Sequence, residues 1–476
     1  MKEFVGRQKE LTLLKDLLQK RSASVFVVYG RRRVGKSRLI EEFGGNCTFF
    51  SFAGLPPQEN ATSQSQLDEF YQQLKRQFST EKDSFSDWGE AFQELAKYVS
   101  SGQLILFFDE ISWMGNKDPD FLGKLRNAWD TQFKKNERLI LVLCGSVSTW
   151  IEKNILSNTG FYGRISLKLR LQELSLKDCN LFWKNQSHQI SAYEKLKILA
   201  VMGGIPKYLE EIKPGVTADE NIKQLCFANY GLLYNDYHYI FSALLERESL
   251  YYHKIVELLA GGVEEQASIS NKVKLSIGSV LSDYLDDLVS SGFIQRDYTW
   301  QIKTGNVGKL SQYRLADNYL RFYLKYIKPN ISKIENQQFE DCALSALSGW
   351  SSIMGLQIEN LILNNRPAIR EKIGVHADEV ICDGPFFQKK TARQKGCQID
   401  YMIQTKFGNL FVCEIKFSRN IIRANIIDEV KEKINRLSIP RNFSIIPVLI
   451  HIGDVHDEVL DRQFFGKIID MASLLE

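Results

Sequence analysis

Short, continuous apolar runs alternate with amphipathic segments in the first third of the chain. The runs lie at residues 25–29, 104–108 and 139–144, and each is followed by a glycine or an acidic residue. Apolar runs of this length predict strands that are buried on both faces, and the pattern after residue 35 predicts a helix. We therefore expect an α/β core over residues 1–170.

Three further patterns follow along the chain. Residues 171–245 have apolar positions at helical spacing, as in AYEKLKILAVM, which predicts a helical domain. Residues 246–330 predict the helix, helix, turn, helix and hairpin of a winged helix. In that domain Ser276 would be the N-cap of the third helix, and FIQR and DYTWQI would be the two strands of the wing. Residues 331–476 predict helix, β-hairpin, helix and strand, which suits a small α/β domain.

Length and composition narrow the class of protein. A chain of 476 residues is too long for one hydrophobic core. No apolar run approaches the roughly 18 residues that a membrane helix needs, and the charged N-terminus is not a signal peptide. The eight cysteines are scattered, without the C-x-x-C pairs of zinc sites. We therefore expect a cytoplasmic protein in a reducing compartment.

The net charge of +4 does not by itself indicate nucleic-acid binding, but basic residues are locally grouped. The densest group is QKKTARQKG, which contains Lys389, Lys390, Arg393 and Lys395. Such a group is typical either of a phosphate contact or of a solvated loop.

The segment VFVVYGRRRVGKSRLIEEF carries the clearest chemical signature. Gly30-x-x-x-x-Gly35-Lys36-Ser37 lies between a predicted strand and a predicted helix. Glycines allow backbone N–H groups to surround phosphates, and the helix N-terminus adds a positive dipole. Lys36 would reach the β- and γ-phosphates, and the Ser37 hydroxyl would bind Mg²⁺. The segment predicts a nucleotide site with Mg²⁺ as a cofactor.

Two more strand ends would complete this nucleotide site. LILFFDE ends in Asp109, which would hold the metal ion, and Glu110, which would polarise the attacking water. Ser146 follows the third apolar run and is a candidate for sensing the γ-phosphate, unless it only turns the strand into a loop. The guanine-reading pattern Asn-Lys-x-Asp fails at residues 116–119, where proline replaces the aspartate. We therefore expect ATP as the nucleotide.

These residues resemble the archaeal-type ATPases of the broad AAA+/STAND class, which have an additional-strand P-loop ATPase core and a helical lid. The resemblance rests on FVGRQKELTLL, GRRRVGKSRLI, FFDE, FYGRISLKLRL and MGGIPKYLEE. It implies that Gly6 and Arg7 lie near the adenine and that Pro206 of the lid packs on the base. It also implies that Arg164 completes a nucleotide site, in the same or a neighbouring subunit, so a homo-oligomer is one expectation. Arg164 as a surface charge and Pro206 as a helix breaker stay open.

Charged residues interrupt an apolar hairpin near the C-terminus, CQIDYMIQTKFGNLFVCEIKFS. Because side chains alternate along a strand, Glu414 and Lys416 share a face, and folding at Gly408 brings Asp400 opposite them. Buried charges are costly unless they are paired or bound to metal, and Glu359 on a preceding apolar helix adds another acid. The pattern is typical of a metal-dependent nuclease, or of an amphipathic hairpin with one wet face.

The spacing Asp-x₁₃-Glu-x-Lys is similar to that of the restriction-endonuclease-like superfamily, written PD-(D/E)xK. The whole chain resembles archaeal-type ATPases that carry such a C-terminal domain. This resemblance implies that Asp400 and Glu414 hold Mg²⁺ with support from Glu359. It implies that Lys416 orients the water and stabilises charge on the phosphodiester. The proline of the motif is replaced by Ile399.

We therefore expect an ATP-binding and ATP-hydrolysing protein that controls a C-terminal Mg²⁺-dependent nuclease. Its partner would be nucleic acid, with DNA favoured over RNA, and no membrane. One alternative is an ATP-switched DNA-binding regulator or scaffold whose nuclease-like domain does not cut, and another is an ATPase whose partner is a protein. The intact set of Asp400, Glu414 and Lys416 favours the nuclease.

Overall fold

The computed structural model describes residues 3–56, 62–115, 117–146, 148–242, 250–339, 342–392 and 394–476. Contacts divide the chain into two compact units, Met1–Glu173 and Leu174–Glu476. Within the described ranges, no helix has both the length and the apolar character needed to cross a membrane. The finer boundaries at residues 170, 245 and 330 stay predictions.

In the described part of the first unit, five parallel strands form a sheet in the order β2-β3-β4-β1-β5. The strands are β1 (Ser24–Tyr29), β2 (Thr48–Ala53), β3 (Leu104–Asp109), β4 (Leu139–Gly145) and β5 (Ile165–Arg170). Every residue of β1 and β4 is buried, as the apolar runs predict. Because the strands are parallel, the C-terminal ends of β3, β4 and β1 meet at one edge of the sheet.

Helices pack around this sheet. They are α1 (Gln8–Gln19), α2 (Lys36–Gly44), α3 (Ser63–Gln77), α4 (Trp88–Tyr98), α5 (Ile111–Met114), α6 (Phe121–Thr131) and α7 (Ser148–Ile151). The Phe108 ring of β3 packs against the rings of Phe52 and Phe70, at centroid distances of 5.9 and 6.2 Å. Burying a phenylalanine contributes about 1.5–3 kcal/mol. These contacts fix the strand end that carries Asp109 and Glu110.

The second unit begins with helices, as the pattern over residues 171–245 predicts. They are α8 (Leu176–Asn180), α9 (Ala192–Met202), α10 (Pro206–Leu209), α11 (Ala218–Cys226) and α12 (Leu232–Ser242). Helix α9 is buried at every position from Lys195 to Met202, so it belongs to the core of this unit.

Three helices and a hairpin follow, together with two short helices. They are α13 (Leu250–Leu259), α14 (Gln266–Val273), α15 (Ser279–Ser290), β6 (Ile294–Trp300), β7 (Val307–Leu315), α16 (Asn318–Phe322) and α17 (Ile331–Glu335). The prediction that Ser276 caps the third helix is wrong, because Gly278 has an extended backbone and α15 begins after it. The predicted wing strands are also wrong. IQR and DYTW form one strand, β6, because no turn residue separates them, and its partner is β7.

The last part of the second unit is a mixed sheet in the order β12-β11-β10-β9-β8. Its elements are α18 (Trp350–Asn364), α19 (Arg366–Ile373), β8 (Val380–Gln388), β9 (Cys397–Thr405), β10 (Asn409–Phe417), α20 (Asn425–Arg436), β11 (Ser444–Ile452), α21 (Asp457–Asp461) and β12 (Lys467–Asp470). Strands β8, β9 and β10 are antiparallel, whereas β10, β11 and β12 are parallel. The predicted hairpin is confirmed: Tyr401 lies opposite Cys413, and Gly408 turns the chain with φ 74°.

Buried polar contacts join the β6–β7 hairpin to α18 and β9. Arg314 of β7 pairs with Asp297 of β6 at 2.7 Å and donates to the Asn360 side chain of α18 at 2.5 Å. Trp300 of β6 donates its indole N–H to Gln404 of β9 at 2.8 Å. Because buried polar groups are costly without partners, these contacts fix the hairpin against the last sheet.

Candidate functional site

The loop between β1 and α2 has the backbone that a phosphate cradle needs. Gly30 has φ 144°, and a Cβ at this position would lie 2.3 Å from the Leu171 carbonyl oxygen, so no other residue fits. Gly35 has φ 89° and precedes the first turn of α2. The sequence places glycine at the two positions where this loop requires it, and the N-terminus of α2 follows directly.

The side chains of this loop reach its own carbonyl groups and the neighbouring strand end. Lys36 is buried, and its Nζ donates to the carbonyl oxygens of Gly30 at 2.9 Å and Arg31 at 3.1 Å. The Ser37 hydroxyl donates to Asp109 Oδ2 at 2.7 Å. The structure therefore brings together the two residues that the sequence assigns to Mg²⁺, although they are far apart in the chain.

Glu110 and Ser146 are also in direct contact. Glu110 Oε2 accepts hydrogen bonds from the Ser146 hydroxyl at 2.8 Å and from the Ser146 backbone N–H at 3.0 Å. Glu110 has a left-handed backbone with φ 48°, which is uncommon for a residue other than glycine. This conformation turns the carboxylate towards the end of β4. The residue assigned to water activation is thus held by the residue assigned to phosphate sensing.

Arg7 lies beside the phosphate loop. It is buried, and its Nη2 donates to the Val34 carbonyl oxygen at 3.1 Å and to the Gln172 carbonyl oxygen. Both Gly6 and Arg7 have positive φ angles, 72° and 65°. The turn before α1 is therefore part of the same site, and its contact with adenine stays a prediction.

Arg164 precedes β5 and binds Asp130 of α6. Its Nε and Nη2 lie 3.1 Å from Asp130 Oδ1 and 2.7 Å from Asp130 Oδ2, and its Nη1 donates to the Gly160 carbonyl oxygen at 3.0 Å. Hydrogen bonding by Arg164 lowers the pKa of Asp130. The pair of Arg164 and Asp130 is partly exposed. Arg164 could therefore complete a nucleotide site or be a surface charge, as the sequence predicts. Pro206 occupies the first turn of α10 in the second unit, and its contact with the base stays a prediction.

A second cluster of charges lies on one face of the β9–β10 hairpin. Asp400 Oδ2 accepts from the Ile415 backbone N–H at 3.1 Å, and Lys416 Nζ lies 3.0 Å from Glu414 Oε1. The Glu414 side chain is only 5% exposed. The sequence prediction that these three charged residues share a face is confirmed.

Helix α20 adds two charges that the sequence analysis missed. Lys433 Nζ lies 2.5 Å from Glu414 Oε2 and 3.6 Å from Asp400 Oδ1, and Glu429 Oε2 lies 3.1 Å from Lys416 Nζ. The two residues are four apart, so they lie on the same face of the helix. The four-residue spacing of Glu429 and Lys433, next to the apolar positions of α20, is the sequence signal that could have identified these two residues.

Burial makes the acids of this cluster depend on positive charge. It raises the pKa of Asp400, and the Glu414 carboxylate adds to the effect, while Lys433, the Ile415 N–H and Lys416 oppose it. Burial likewise raises the pKa of Glu359 to about 7, with Asp400 as the next cause. Burial lowers the pKa of Lys433, but the charges of Asp400 and Glu414 outweigh it and keep this ammonium protonated. An added cation would stabilise the ionised carboxylates.

The described residues contain no group of three histidine, cysteine or acidic side chains close enough together to hold a metal ion. Asp400 and Glu414 share the Lys433 ammonium group, and a ligand role for Glu359 stays a prediction. In the basic run, Lys389 binds Glu265 at 2.6 Å and Lys395 lies 3.9 Å from a Glu432 oxygen. Arg393 lies outside the described residues.

The chain is similar to known archaeal proteins. An uncharacterized protein of Methanocaldococcus jannaschii is 27% identical over 342 residues, which cover 71% of this chain and 72% of that protein. An uncharacterized ATP-binding protein of the same organism is 45% identical over 40 residues, which cover 8% of this chain and 68% of that protein.

Two solved structures are similar to about two thirds of the chain or somewhat more. A Walker-type ATPase of Pyrococcus abyssi is 19% identical, with a TM-score of 0.49, and covers 67% of this chain and 96% of its own. The ORC2 protein of Aeropyrum pernix, solved in ADPNP–ADP complexes, is 15% identical, with a TM-score of 0.44, and covers 71% and 96%.

One family match covers the nucleotide site and the first helices of the second unit. Residues 4–212, somewhat less than half of the chain, match the family described as an ATPase domain predominantly from Archaea. This range includes the phosphate loop, the Asp109–Glu110 strand end and Ser146, whose contacts link them into one site. Residues 4–212 are therefore similar to an ATPase domain of the archaeal type.

Proposed function

We propose that this chain is an ATP-hydrolysing protein whose nucleotide state controls a C-terminal Mg²⁺-dependent nuclease acting on DNA. One observation carries the nuclease part of the proposal. Asp400 and Glu414 lie side by side on a buried face, both within reach of one ammonium group, and Lys416 binds Glu414 directly. Two carboxylates and a lysine in this arrangement suit phosphodiester hydrolysis.

In the ATPase domain each residue has a role that follows from its contacts. Lys36 would exchange the carbonyl groups of its loop for the β- and γ-phosphates. Ser37 and Asp109, already hydrogen-bonded to each other, would hold Mg²⁺, and Glu110 would orient the attacking water. Because Glu110 is bound to Ser146, a γ-phosphate that competes for the Ser146 hydroxyl would release it.

The residues of the hairpin fit a hard cation. Carboxylate oxygens of Asp400 and Glu414 are the ligands that Mg²⁺ prefers, and Mg²⁺ usually keeps several of its waters, so two protein carboxylates are enough. The raised pKa of Asp400 supports the same fit, because a cation relieves its burial beside Glu414. When bound, the ion would polarise the phosphodiester. Lys416 would contribute positive charge where the pentacoordinate phosphorus develops negative charge.

The control part of the proposal is supported by contacts within the second unit. The Tyr193 ring of α9 stacks on the Phe417 ring of β10 at 4.8 Å, and Phe417 directly follows Lys416. Arg419 lies over the Tyr193 ring at 4.4 Å and pairs with Glu194. We infer that residues 171–245 are the lid, and that a lid movement driven by nucleotide would reach the hairpin through this contact.

The α13–α15 helices and the β6–β7 hairpin have the order of a winged helix, which we infer to be the DNA-binding domain. Its exposed segment is residues 276–280 at the start of α15. Ile277 and Val280 in this segment are 64% and 53% exposed, and aliphatic side chains can contact thymine methyl groups in the major groove.

The experiment is a cleavage assay with labelled single- and double-stranded DNA, Mg²⁺ or Mn²⁺, and the Lys416→Ala variant. The matched control is Lys406→Ala, because Lys406 is exposed on the same hairpin and binds Asp378 outside the cluster. The proposal predicts cleavage by the wild type and by Lys406→Ala, and at least a hundredfold loss, on the order of what one catalytic group contributes, in Lys416→Ala. Equal cutting by all three proteins, or none by any, would refute the nuclease.

A second candidate is an ATP-switched DNA-binding regulator whose last domain does not cut. It is favoured by the pairing of Glu414, whose charge Lys416 and Lys433 already neutralise. Salt-dependent DNA binding without cleavage under any metal condition would select this function.

A further inference from the structure

Lys433 belongs to no recognised sequence motif, yet its ammonium group contacts the carboxylates of both Asp400 and Glu414. Its Nζ lies 2.5 Å from Glu414 Oε2 and 3.6 Å from Asp400 Oδ1. Lys433 lies on α20, which reaches the hairpin because the helix packs against it in the folded chain. Its side chain is 30% exposed, so the ammonium has solvent on one side and the acid pair on the other.

An ammonium group and a divalent cation compete for these oxygens. Both prefer ionised carboxylates, and two positive charges a few ångströms apart repel each other strongly in a partly buried site. A metal ion bound by Asp400 and Glu414 therefore requires Lys433 to leave Glu414 Oε2. A lysine has a long, flexible side chain, and this one can turn towards solvent.

The charge balance indicates what would make that exchange favourable. Contacts run in an alternating series of Glu429, Lys416, Glu414, Lys433 and Asp400. Three carboxylates and two ammonium groups leave one net negative charge. A divalent cation alone would leave one net positive charge, and a single phosphodiester would return the cluster to neutrality. The phosphate would also give the displaced ammonium a new partner.

We propose that Lys433 makes metal loading of this site depend on a phosphate-bearing ligand. In the free protein Lys433 neutralises Asp400 and Glu414 and weakens their affinity for divalent cations. When a nucleic-acid phosphate is present, Lys433 binds it and releases the carboxylates to the metal ion. The inference rests on the proposed function, because it takes Asp400 and Glu414 as the metal site.

The test is calorimetric titration of Ca²⁺ into the full chain, with and without a short DNA duplex. Ca²⁺ takes oxygen ligands, and the readout is affinity, not cleavage. For the wild type we expect the duplex to raise the Ca²⁺ affinity about tenfold or more, within the usual range of coupling between two ligands. Lys433→Met should bind Ca²⁺ about tenfold more tightly than the wild type without DNA, and the duplex should then add little, because the ammonium group that couples the two ligands is absent. Ca²⁺ binding by the duplex alone is subtracted.

Two controls separate the possible failures. Lys431→Met removes an exposed lysine of the same helix, which lies over the Phe464 ring at 5.4 Å, and should behave like the wild type. Asp400→Asn should remove the hairpin's Ca²⁺ binding. If Lys433→Met matches the wild type while Asp400→Asn loses binding, the role of Lys433 is overturned and the metal site stands. If Asp400→Asn binds as the wild type does, the metal site fails, and the proposed function with it. Lys433→Gln replaces Lys433→Met if the latter lowers the melting temperature.

Discussion

The aromatic rings of Tyr193 and Phe417 lie nearly parallel, with centroids 4.8 Å apart and an interplanar angle of 6°. Tyr193 belongs to α9, which lies within the range of the ATPase family match, and Phe417 ends the strand that carries Glu414 and Lys416. Helix α9 and the charged hairpin, both in the second unit, are therefore in direct contact through two side chains. Such pairs are worth about 0.5–1.5 kcal/mol beyond the area that they bury.

Replacing Tyr193 with alanine should weaken the influence of nucleotide on the hairpin. We expect basal cleavage within about twofold of the wild type, because Tyr193 touches no charge of the cluster. The difference in cleavage rate between ATP and ADP should become severalfold smaller, because a coupling of about 1 kcal/mol is lost. Tyr230→Ala is the control, since Tyr230 is 82% exposed in the same unit. If the nucleotide effect is unchanged in Tyr193→Ala, the contact between Tyr193 and Phe417 does not couple the nucleotide to the hairpin.

Glu110→Gln should separate ATP binding from ATP hydrolysis. Glutamine keeps a hydrogen-bond acceptor for Ser146 but lacks the charge that activates water, so turnover should fall about 10²-fold or more while ATP affinity stays near that of the wild type. Nucleotide binding by fluorescence and phosphate release measure the two quantities. Equal losses in both would indicate that Glu110 supports the structure of the site and does not act in hydrolysis.

Arg164 and Asp130 form a pair whose two roles can be distinguished. As a partly exposed ion pair it would contribute about 0–1 kcal/mol, so Arg164→Ala and Asp130→Ala should have equally small effects on melting temperature. If Arg164 also completes a nucleotide site, Arg164→Ala alone should lower ATP turnover by at least tenfold, whereas Asp130→Ala should preserve it. Equal turnover in the two variants would assign Arg164 to the surface.

Arg314→Met should destabilise the second unit strongly. The substitution leaves the Asp297 carboxylate, which is 7% exposed, without its 2.7 Å partner, and breaking a buried ion pair costs about 3–5 kcal/mol. Lys309→Met is the control, because Lys309 is exposed on the same strand. Melting curves of both variants measure the effect. A melting temperature of Arg314→Met close to that of Lys309→Met would show that Asp297 finds other partners.

Local signals explain which parts could be predicted from the sequence. The phosphate loop needs glycine at residues 30 and 35, and the charged hairpin needs a turn at Gly408, so each feature is encoded within a short segment. The same reasoning failed at β6 because a run of strand-forming residues does not show where a strand ends. The hairpin turn there lies at residues 301–306, so it includes Gln301 and Ile302, which the prediction placed in the second wing strand.

Contacts between distant elements could not be predicted in this way. The Glu110–Ser146 contact depends on β3 and β4 being neighbours, and sheet order is not visible in either strand. Lys431 and Lys433 flank the apolar positions of α20 on opposite sides, and the sequence does not show which of the two flanks faces the hairpin. Only the packing angle of the helix directs Lys433 to Glu414 and Lys431 to Phe464.

The most direct measurement is the rate of DNA cleavage with Mg²⁺ in the presence of ATP, ADP or no nucleotide, for the wild type, Lys36→Ala and Lys416→Ala. The account predicts cleavage by the wild type at a rate that depends on the nucleotide. It predicts the same rate under all three conditions for Lys36→Ala, which cannot hold the phosphates, and no cleavage by Lys416→Ala. Cleavage that persists in Lys416→Ala, or a wild type that cuts no DNA under any of these conditions, would contradict it.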